Sequence, residues 1–486
     1  MKYNSKHLLI GLLLCLFIFY KVWILPYQSL PWVDETTFAD TALHLNQTGR
    51  LEVSVLSGVA EPMLQYGFLY FFLVSLVFNT LGFGIGSFRL VTCLAAILFV
   101  GIWLRFYQRT HTSAPISKAL VGILLLTDPF LSFTSGEGRM EWLAVALYWA
   151  GLGCFFFSKK YYWSLLFFLL ALLTTPRIIV LLLPIFFFIC WKVYKAPQSW
   201  VVWGIGLLFV MLGLYSWIWF AFGSYEAFWQ YYASRYAINE ISWRSRLGGN
   251  GYVPPQSRIL IGLSICFLAL QLLLLILKKV QLQLQPFHGL SILSLVIFYV
   301  VLYDFGPYSA LVLGFWYLLL LVPFTNKIPF LHSLFIGLLL FHNLSYFSLK
   351  QIQILSSMAA KDPEQATLFV KKHVPTGSRV VGEPIYYYAV KQSGSDYQYT
   401  NIYGDLRITE YRQRTEWQYD YYIVTEQARW RYRDTVNYYL GQAKFEKVAV
   451  LSFQRSSWAK WIDSWNLLST VDKEGYSATL YRRLKE

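Results

Sequence analysis

Three carboxylates follow the first hydrophobic segment at close spacing. The stretch LPWVDETTFADTALHLNQTGR, residues 30–50, contains Asp34, Glu35 and Asp40. A carboxylate can accept the proton of an attacking hydroxyl, as a general base does. The same residues can instead stabilise a helix, with Asp34 as its N-cap and Glu35 in its first turn. Spacing alone leaves catalysis and capping open.

Two further motifs place charge beside apolar segments. In TSGEGRMEW, Glu137 and Glu141 are four residues apart and share a face if the turn is helical, and Arg139 can neutralise them. In LLTTPRIIVLL, Arg177 lies between two apolar runs, where an arginine is costly unless it is paired or faces a polar cavity. The alternatives are a solvated interhelical turn for the first motif and snorkelling of Arg177 to the surface.

Residues 223–258 form a long connector rich in aromatic residues and arginines. Long connectors are often functional. Tyr232, Arg244 and Arg246 lie in it, and guanidinium groups bind phosphate through paired hydrogen bonds. The connector is therefore a candidate lip for a lipid chain and its phosphate. An interfacial aromatic belt explains the same composition.

Hydropathy places these motifs in a membrane protein. The 486 residues are 56% hydrophobic and 19% aromatic, which exceeds the usual content of soluble domains. Apolar stretches recur up to residue 349, so we predict a polytopic α-helical membrane protein with about eleven transmembrane helices. The five cysteines lie in apolar segments and show neither metal-ligand spacing nor a disulfide framework.

The distribution of charge predicts the orientation. If residues 66–81 do not span, one set of loops contains basic residues and no acid, and the positive-inside rule makes that side cytoplasmic. Every acid before residue 350 then lies on or near the opposite side, together with several arginines. This arrangement explains the net charge of +15 without a nucleic-acid partner. An outer face with acids and arginines suits an anionic substrate.

After residue 350 the chain becomes polar and alternates helix-like and strand-like stretches. DPEQATLFVKKHV is typical of a helix, and YDYYIVTE and KVAVLSF are typical of strands. We predict a catalytic transmembrane domain at 1–349, with interfacial helices in a first outer loop at 27–86. A soluble, non-cytoplasmic α/β domain is predicted at 350–486.

The order of the motifs resembles a known family. A first helix, then VDETTFADTALHLNQTG, then YGFLYFFLVSLVFNTLG, then DPFLSFTSGEGRMEWLAVAL is similar to the GT-C superfamily of membrane glycosyltransferases. The branch with the greatest likeness contains the protein O-mannosyltransferases and the lipid A aminoarabinose transferases. The likeness extends in order over residues 7–190. It implies a polyprenyl-phosphate sugar donor and an active site on the non-cytoplasmic face.

The resemblance also implies roles for individual residues. Asp34 occupies the place of the catalytic carboxylate, and Glu141 occupies that of the second acidic position. Arg177 matches the basic residue that meets the donor phosphate. We expect inverting sugar transfer to an acceptor hydroxyl, with Asp34 as general base. The expected phosphate-binding residues are Arg177, Arg139, Arg244 and Arg246, and the expected substrate contacts are Glu35, Glu137, Tyr66 and Tyr232.

Further expectations concern the partners and the location. The acceptor is a glycan, lipid or protein, and the enzyme is expected in a bacterial inner membrane with its site facing the periplasm. No metal site is assigned, and a divalent cation at Asp34 and Glu141 stays open. The alternative functions are a transporter or flippase for a polyprenyl-linked glycan, and a polysaccharide polymerase or ligase. Charges at one face rather than at the midplane favour an enzyme over a transporter.

Overall fold

The computed structural model combines a bundle of apolar helices with a mixed α/β domain at the carboxyl-terminal end. The described residues are 5–56, 60–63, 66–110, 117–158, 160–195, parts of 204–230, three single residues in 262–269, 286–301, 307–321, 329–399, 419–454, 457–464 and 474–484.

The first four helices bracket the outer loop that contains the acidic stretch. They are α1 (Ser5–Ile24), α2 (Val33–Thr48), α3 (Phe68–Leu81) and α4 (Ile85–Thr110). Between α2 and α3, β1 (Glu52–Val53) pairs with β2 (Glu61–Pro62) in antiparallel register. With 14 residues, α3 is about 21 Å long, which is shorter than the roughly 30 Å hydrocarbon core. The placement of α3 along the membrane surface stays a prediction.

Several of the remaining bundle helices are shorter or more broken than hydropathy predicts, whereas the last one is longer. They are α5 (Lys118–Leu126), α6 (Pro129–Thr134), α7 (Glu141–Gly153), α8 (Tyr161–Leu172), α9 (Ile179–Lys195), α10 (Pro286–Val301), α11 (Ala310–Leu320) and α12 (Pro329–Ser356). A π-helical turn (Cys154–Ser158) continues α7, and a 3₁₀ turn (Pro176–Ile178) precedes α9.

The apolar run at 119–135 forms two helices instead of the single span that hydropathy predicts. Pro129 begins the second helix, and the Asp128 carboxylate accepts from the backbone N–H groups of Phe130 and Leu131, each at 2.9 Å. Tyr317 donates to the other carboxylate oxygen at 2.7 Å. The cap and the tyrosine satisfy a charge that would otherwise be costly inside an apolar bundle.

Two described helical segments have both the length and the apolarity of a membrane span, Ile85–Thr110 and Glu141–Ser158. Six described apolar helices of 10–17 residues are shorter. The predicted spans at 201–222 and 259–277 lie largely outside the described residues. The number of transmembrane helices therefore stays a prediction.

The carboxyl-terminal domain is built on a five-stranded sheet in the order β4-β3-β5-β7-β6. Its strands are β3 (Arg379–Gly382), β4 (Asp396–Tyr399), β5 (Tyr421–Thr425), β6 (Phe445–Leu451) and β7 (Ala478–Arg483). Its helices are α13 (Pro363–His373), α14 (Tyr387–Gln392), α15 (Glu426–Arg431), α16 (Arg433–Leu440) and α17 (Ser457–Asp463). Strand β3 is parallel to β4 and β5, whereas β7 is antiparallel to both of its neighbours. Helix α12 runs through the predicted domain boundary at 350 and ends at Ser356.

Candidate active site

Asp34 lies in the first turn of α2 and does not cap it. The N-cap residue is Trp32, and no side chain of the described residues completes this cap. The capping interpretation of Asp34 is therefore wrong. Its side chain is 38% exposed, and its Oδ2 lies 3.6 Å from Nη1 of Arg139. The position near the start of the helix also favours the ionised carboxylate, since the helix dipole is positive there.

Arg139 joins Asp34 to the second predicted acid. Its Nε and Nη2 donate to the two carboxylate oxygens of Glu141, at 3.1 and 2.9 Å, and both side chains are buried. The shared helix face predicted for Glu137 and Glu141 is wrong because α7 begins only at Glu141. Thr92 on α4 donates to the backbone carbonyl of Arg139 at 2.8 Å, which fixes the turn before α7.

Arg177 turns toward the same group of side chains. Its Nη1 lies 3.8 Å from Oε1 of Glu141, and its side chain is 30% exposed. The guanidinium carbon lies 4.1 Å from the ring centroid of Tyr308 and 5.2 Å from that of Tyr66. These distances are typical of cation–π contacts. Arg177 is thus held by Glu141 and two tyrosines, which argues against snorkelling.

Two aromatic residues of the site were not predicted from the sequence. Tyr308 lies between the two arginines, because the Arg139 guanidinium is 5.2 Å from its ring and Arg177 is on it as well. Trp32 is 5.1 Å from the Arg139 guanidinium. Trp32 lies two residues before Asp34, so its place in the sequence could have indicated that it belongs to the site. Tyr308 is one of 36 tyrosines, and nothing in its local sequence distinguishes it.

The site has two guanidinium groups with hydrogen-bonding capacity to spare. Among the described residues, Nη1 of Arg139 and Nη1 of Arg177 are buried and have no hydrogen-bond partner. Both nitrogen atoms face the carboxylates of Asp34 or Glu141, at 3.6 and 3.8 Å. A buried donor without an acceptor is costly. An anionic oxygen placed between the two arginines would satisfy both.

Burial is the largest influence on the pKa values of two acids, Asp34 and Glu137. It raises the pKa of Asp34 above the usual range, against the opposing effects of Arg139 and Arg177. It also raises the pKa of Glu137 to about 8, again against Arg139. A carboxylate with a raised pKa is a better general base near neutral pH. The electrostatics of the site therefore suit Asp34 for proton transfer.

Glu35 is separated from this group although it is adjacent to Asp34 in sequence. It is fully buried, and Arg89 on α4 donates to its two oxygens at 2.6 and 2.9 Å. Arg89 also donates to the carbonyl of Leu25 at 2.8 Å and to Ser29 at 3.2 Å. The predicted substrate contact of Glu35 is thus corrected to a structural ion pair that joins α2 to α4, and its arginine also binds the end of α1.

The other residues predicted for the site are Tyr66, Glu137, Tyr232, Arg244 and Arg246, and the structure describes the first two of them. Tyr66 is in the site, beside Arg177, whereas Glu137 is buried in the turn before α7. Tyr232, Arg244 and Arg246 lie outside the described residues. Within the part of the chain that the structure describes, no three His, Cys, Asp or Glu side chains are grouped so as to hold a metal ion.

The carboxyl-terminal domain contacts the helix that carries Asp34. The Tyr399 hydroxyl, at the end of β4, is hydrogen-bonded to Thr36 and lies 3.2 Å from the carbonyl of Val33. Tyr387 on α14 donates to Asp40 at 3.0 Å, on the same helix. Two turns of α2 are therefore tied to the sheet domain, and the first of them contains Asp34.

Replacing Tyr399 with Phe is expected to lower kcat about tenfold, which corresponds to about 1.4 kcal/mol. The ring stays, but the hydroxyl that ties down the first turn of α2 is lost, so Asp34 is less well placed. The measurement is kcat and donor KM in a transfer assay, and KM should not change. Tyr397→Phe is the matched control, because its hydroxyl donates to the Glu383 carbonyl within the sheet domain and, among the described residues, has no bond to α2. An equal loss of kcat in both variants would contradict this prediction.

Comparison with known proteins finds similarity in structure and not in sequence. No family model matches the sequence, and no curated protein matches it. The structure is similar to two crystal structures of ArnT from Cupriavidus metallidurans, one in the apo state and one bound to undecaprenyl phosphate. Their TM-scores are 0.52 and 0.50 at 10% and 11% identity, with 99% of each chain covered.

The similarity defines the class of fold. The present chain shares the fold of these ArnT structures over nearly its whole length. The fold that the resemblance implied is therefore confirmed. The polytopic membrane topology of the chain stays a prediction, with two described helical segments that are long and apolar enough to span a bilayer.

Proposed function

We propose that the protein is a glycosyltransferase that moves a sugar from a polyprenyl-phosphate donor to an acceptor hydroxyl. The observation that carries this proposal is that one group of side chains contains both a candidate proton acceptor and candidate phosphate-binding groups. Asp34 offers an accessible carboxylate, and Arg139 and Arg177 each offer a buried guanidinium nitrogen that lacks a partner among the described residues. One of the ArnT structures is bound to undecaprenyl phosphate, which supports a donor of this kind.

In the proposed reaction, the acceptor oxygen attacks the anomeric carbon of the donor sugar. Asp34 takes the hydroxyl proton as the new C–O bond forms. The bond between the anomeric carbon and the phosphate oxygen breaks, and the polyprenyl phosphate leaves with one additional negative charge. Arg139 and Arg177 stabilise that charge, since they are already oriented and desolvated. A single displacement inverts the anomeric carbon.

Glu141 is assigned a positioning role in this mechanism. Both of its oxygens accept hydrogen bonds from Arg139, and Oε1 also faces Arg177. A carboxylate that is occupied in this way is a poor proton acceptor. It keeps the two guanidinium groups close together despite their like charges, and so it prepares the site for phosphate.

The proposed setting is a bacterial inner membrane, with the site and the sheet domain facing the periplasm. The acceptor is a glycan, a lipid or a protein. A flippase for the same lipid is the main alternative, and the two functions differ in their products. In detergent, where no compartments exist, a transferase releases polyprenyl phosphate from a labelled donor when the acceptor is present. A flippase leaves the donor intact.

Replacing Arg177 with Met is expected to weaken the binding of undecaprenyl phosphate by about 10- to 100-fold. A hydrogen bond to a charged group contributes about 1.5–3 kcal/mol, and the substitution keeps much of the stem that packs on Tyr308. The measurement is a titration of the purified protein with the lipid phosphate. Arg50→Met is the control, because it removes the same charge from a side chain that is 77% exposed in the first outer loop, outside the site. Equal weakening in both variants would show that the effect is only one of net charge.

A further inference from the structure

Helix α17 carries two exposed tryptophans on one face. Trp458 and Trp461 are 56% and 50% exposed, and their rings stack on each other with centroids 4.9 Å apart. The opposite face, with Ala459, Ile462 and Asp463, is buried. Lys460 is exposed beside the tryptophans. Adjacent exposed apolar side chains often mark a surface that contacts a membrane or another molecule.

Helix α17 is attached to the end of the last bundle helix. Gln353 on α12 donates from Nε2 to Oδ1 of Asp463 at 3.0 Å, and both side chains are buried. The position of the tryptophans along the bundle axis is therefore fixed by Gln353.

The same level of α12 meets the aromatic end of α1. Tyr20 donates to Gln351 at 2.8 Å, and the rings of Tyr20, Trp23 and Tyr27 follow one another at 6.2 and 6.4 Å. Trp23 is 48% exposed. Tryptophan and tyrosine concentrate where a transmembrane helix leaves the hydrocarbon region. Gln351 and Gln353 are only about 3 Å apart along the helix axis, so α17 lies at this interfacial level.

An apolar stripe along α12 leads to α17. Its exposed large apolar residues fall at helical spacing and are Phe330, Leu334, Leu338, Phe341, Leu344, Ile352 and Leu355. In a membrane protein such a stripe faces lipid. It ends at the level of Gln353, where the tryptophan pair of α17 continues the exposed apolar surface outside the bundle.

We propose that α17 is an interfacial membrane anchor of the carboxyl-terminal domain. Trp458 and Trp461 insert into the headgroup region of the leaflet on the active-site face, and Lys460 contacts lipid phosphates. The anchor holds the sheet domain down on the bilayer. In that position Tyr399, at the end of β4, contacts the first turn of α2, where Asp34 lies.

The orientation of the two rings favours lipid over a bound glycan. A sugar stacks on the open face of an aromatic ring, whereas here the rings lie 28° from parallel and cover one face of each other. The pair presents its edges and outer faces as one apolar wedge. This inference does not depend on the proposed reaction, because it rests on the positions of α17, α12 and the aromatic end of α1.

The test uses the full chain in nanodiscs of phosphatidylethanolamine and phosphatidylglycerol. A fluorophore is attached to Trp458→Cys and, as the control, to Lys447→Cys, an exposed position on strand β6 of the same domain. A water-soluble maleimide limits labelling of the native cysteines, which lie in apolar segments, and the labelled wild type supplies the background. Lipids with a nitroxide on the headgroup quench the label in proportion to contact.

The expected result is several-fold stronger quenching at position 458 than at position 447, with the reverse order for aqueous iodide. Equal quenching by headgroup nitroxide at both positions would overturn the proposal. Shielding from iodide by soluble oligosaccharides but not by lipid would overturn it as well and would indicate a glycan surface. Thermal unfolding of both labelled variants at the wild-type temperature excludes misfolding as the cause of either pattern.

Discussion

Asp34→Asn is expected to lower kcat for sugar transfer by about 10²- to 10⁴-fold, the range typical of general acid–base catalysis. Asparagine keeps the size of the side chain but cannot accept the proton of the attacking hydroxyl. The phosphate-binding guanidinium groups stay in place, so the affinity for undecaprenyl phosphate should remain within a few-fold of the wild type. Initial rates with a labelled donor, together with lipid titration, separate the two effects.

The pH dependence of the wild-type enzyme gives the same hypothesis a second test. Burial raises the pKa of the Asp34 carboxyl. The base must be ionised, so kcat should rise as the pH increases through that raised pKa and fall below it. This acidic limb should disappear from the residual activity of Asp34→Asn.

Glu52→Gln is a matched control for Asp34→Asn. Glu52 is an acid of the same outer loop, and its partner Arg50 is largely exposed, so the substitution removes an equal charge outside the site. Its kcat should equal that of the wild type. A correctly folded Asp34→Asn protein with the wild-type kcat would exclude Asp34 as the base.

The sequence was informative where charge is sparse. In a chain whose bundle is almost entirely apolar, each charged residue near an apolar run needs a physical reason, and Asp34, Arg139, Glu141 and Arg177 were found in that way. The structure brings these four together from three separate segments, with ion pairs of 2.9–3.8 Å. Their joint position depends on helix packing, which local spacing does not encode.

Spacing alone could not separate Asp34 from Glu35, and only the family resemblance selected Asp34. Neighbouring residues on a helix point about 100° apart, so one faces the site and the other faces α4. The choice depends on Arg89, which is 54 residues away from Glu35 in the chain. Tyr308 was missed for the same reason, because its role exists only once α11 closes against the turn before α9. The hydrogen bond from Tyr387 to Asp40 joins residues 347 positions apart, and nothing in the local sequence of either residue predicts it.

Glu35→Leu and Arg89→Met are each expected to destabilise the folded protein by about 3–5 kcal/mol, the cost of leaving one partner of a buried ion pair uncompensated. The pair is fully buried and its contacts are short, at 2.6 and 2.9 Å. The measurement is thermal unfolding of the purified protein in detergent, with the folded yield from membranes as a second readout.

The double variant Glu35→Leu/Arg89→Met decides between a scaffold and a substrate-binding role for Glu35. Replacing both charges removes the uncompensated ion, so much of the lost stability should return. The recovery should be incomplete, because the carbonyl of Leu25 and the hydroxyl of Ser29 also lose their donor. Breaking the exposed Arg50–Glu52 pair should change stability by no more than about 1 kcal/mol.

The recovered stability of the double variant also predicts its activity. If Glu35 serves only as scaffold, the double variant should retain most of the wild-type kcat at temperatures below its own unfolding. A stable double variant with no transfer activity would return Glu35 to the site. Single variants as stable as the wild type would show that the buried pair does not hold α2 and α4 together. Asp34 and Glu35 would then have to be assigned anew, since their separation rests on this ion pair.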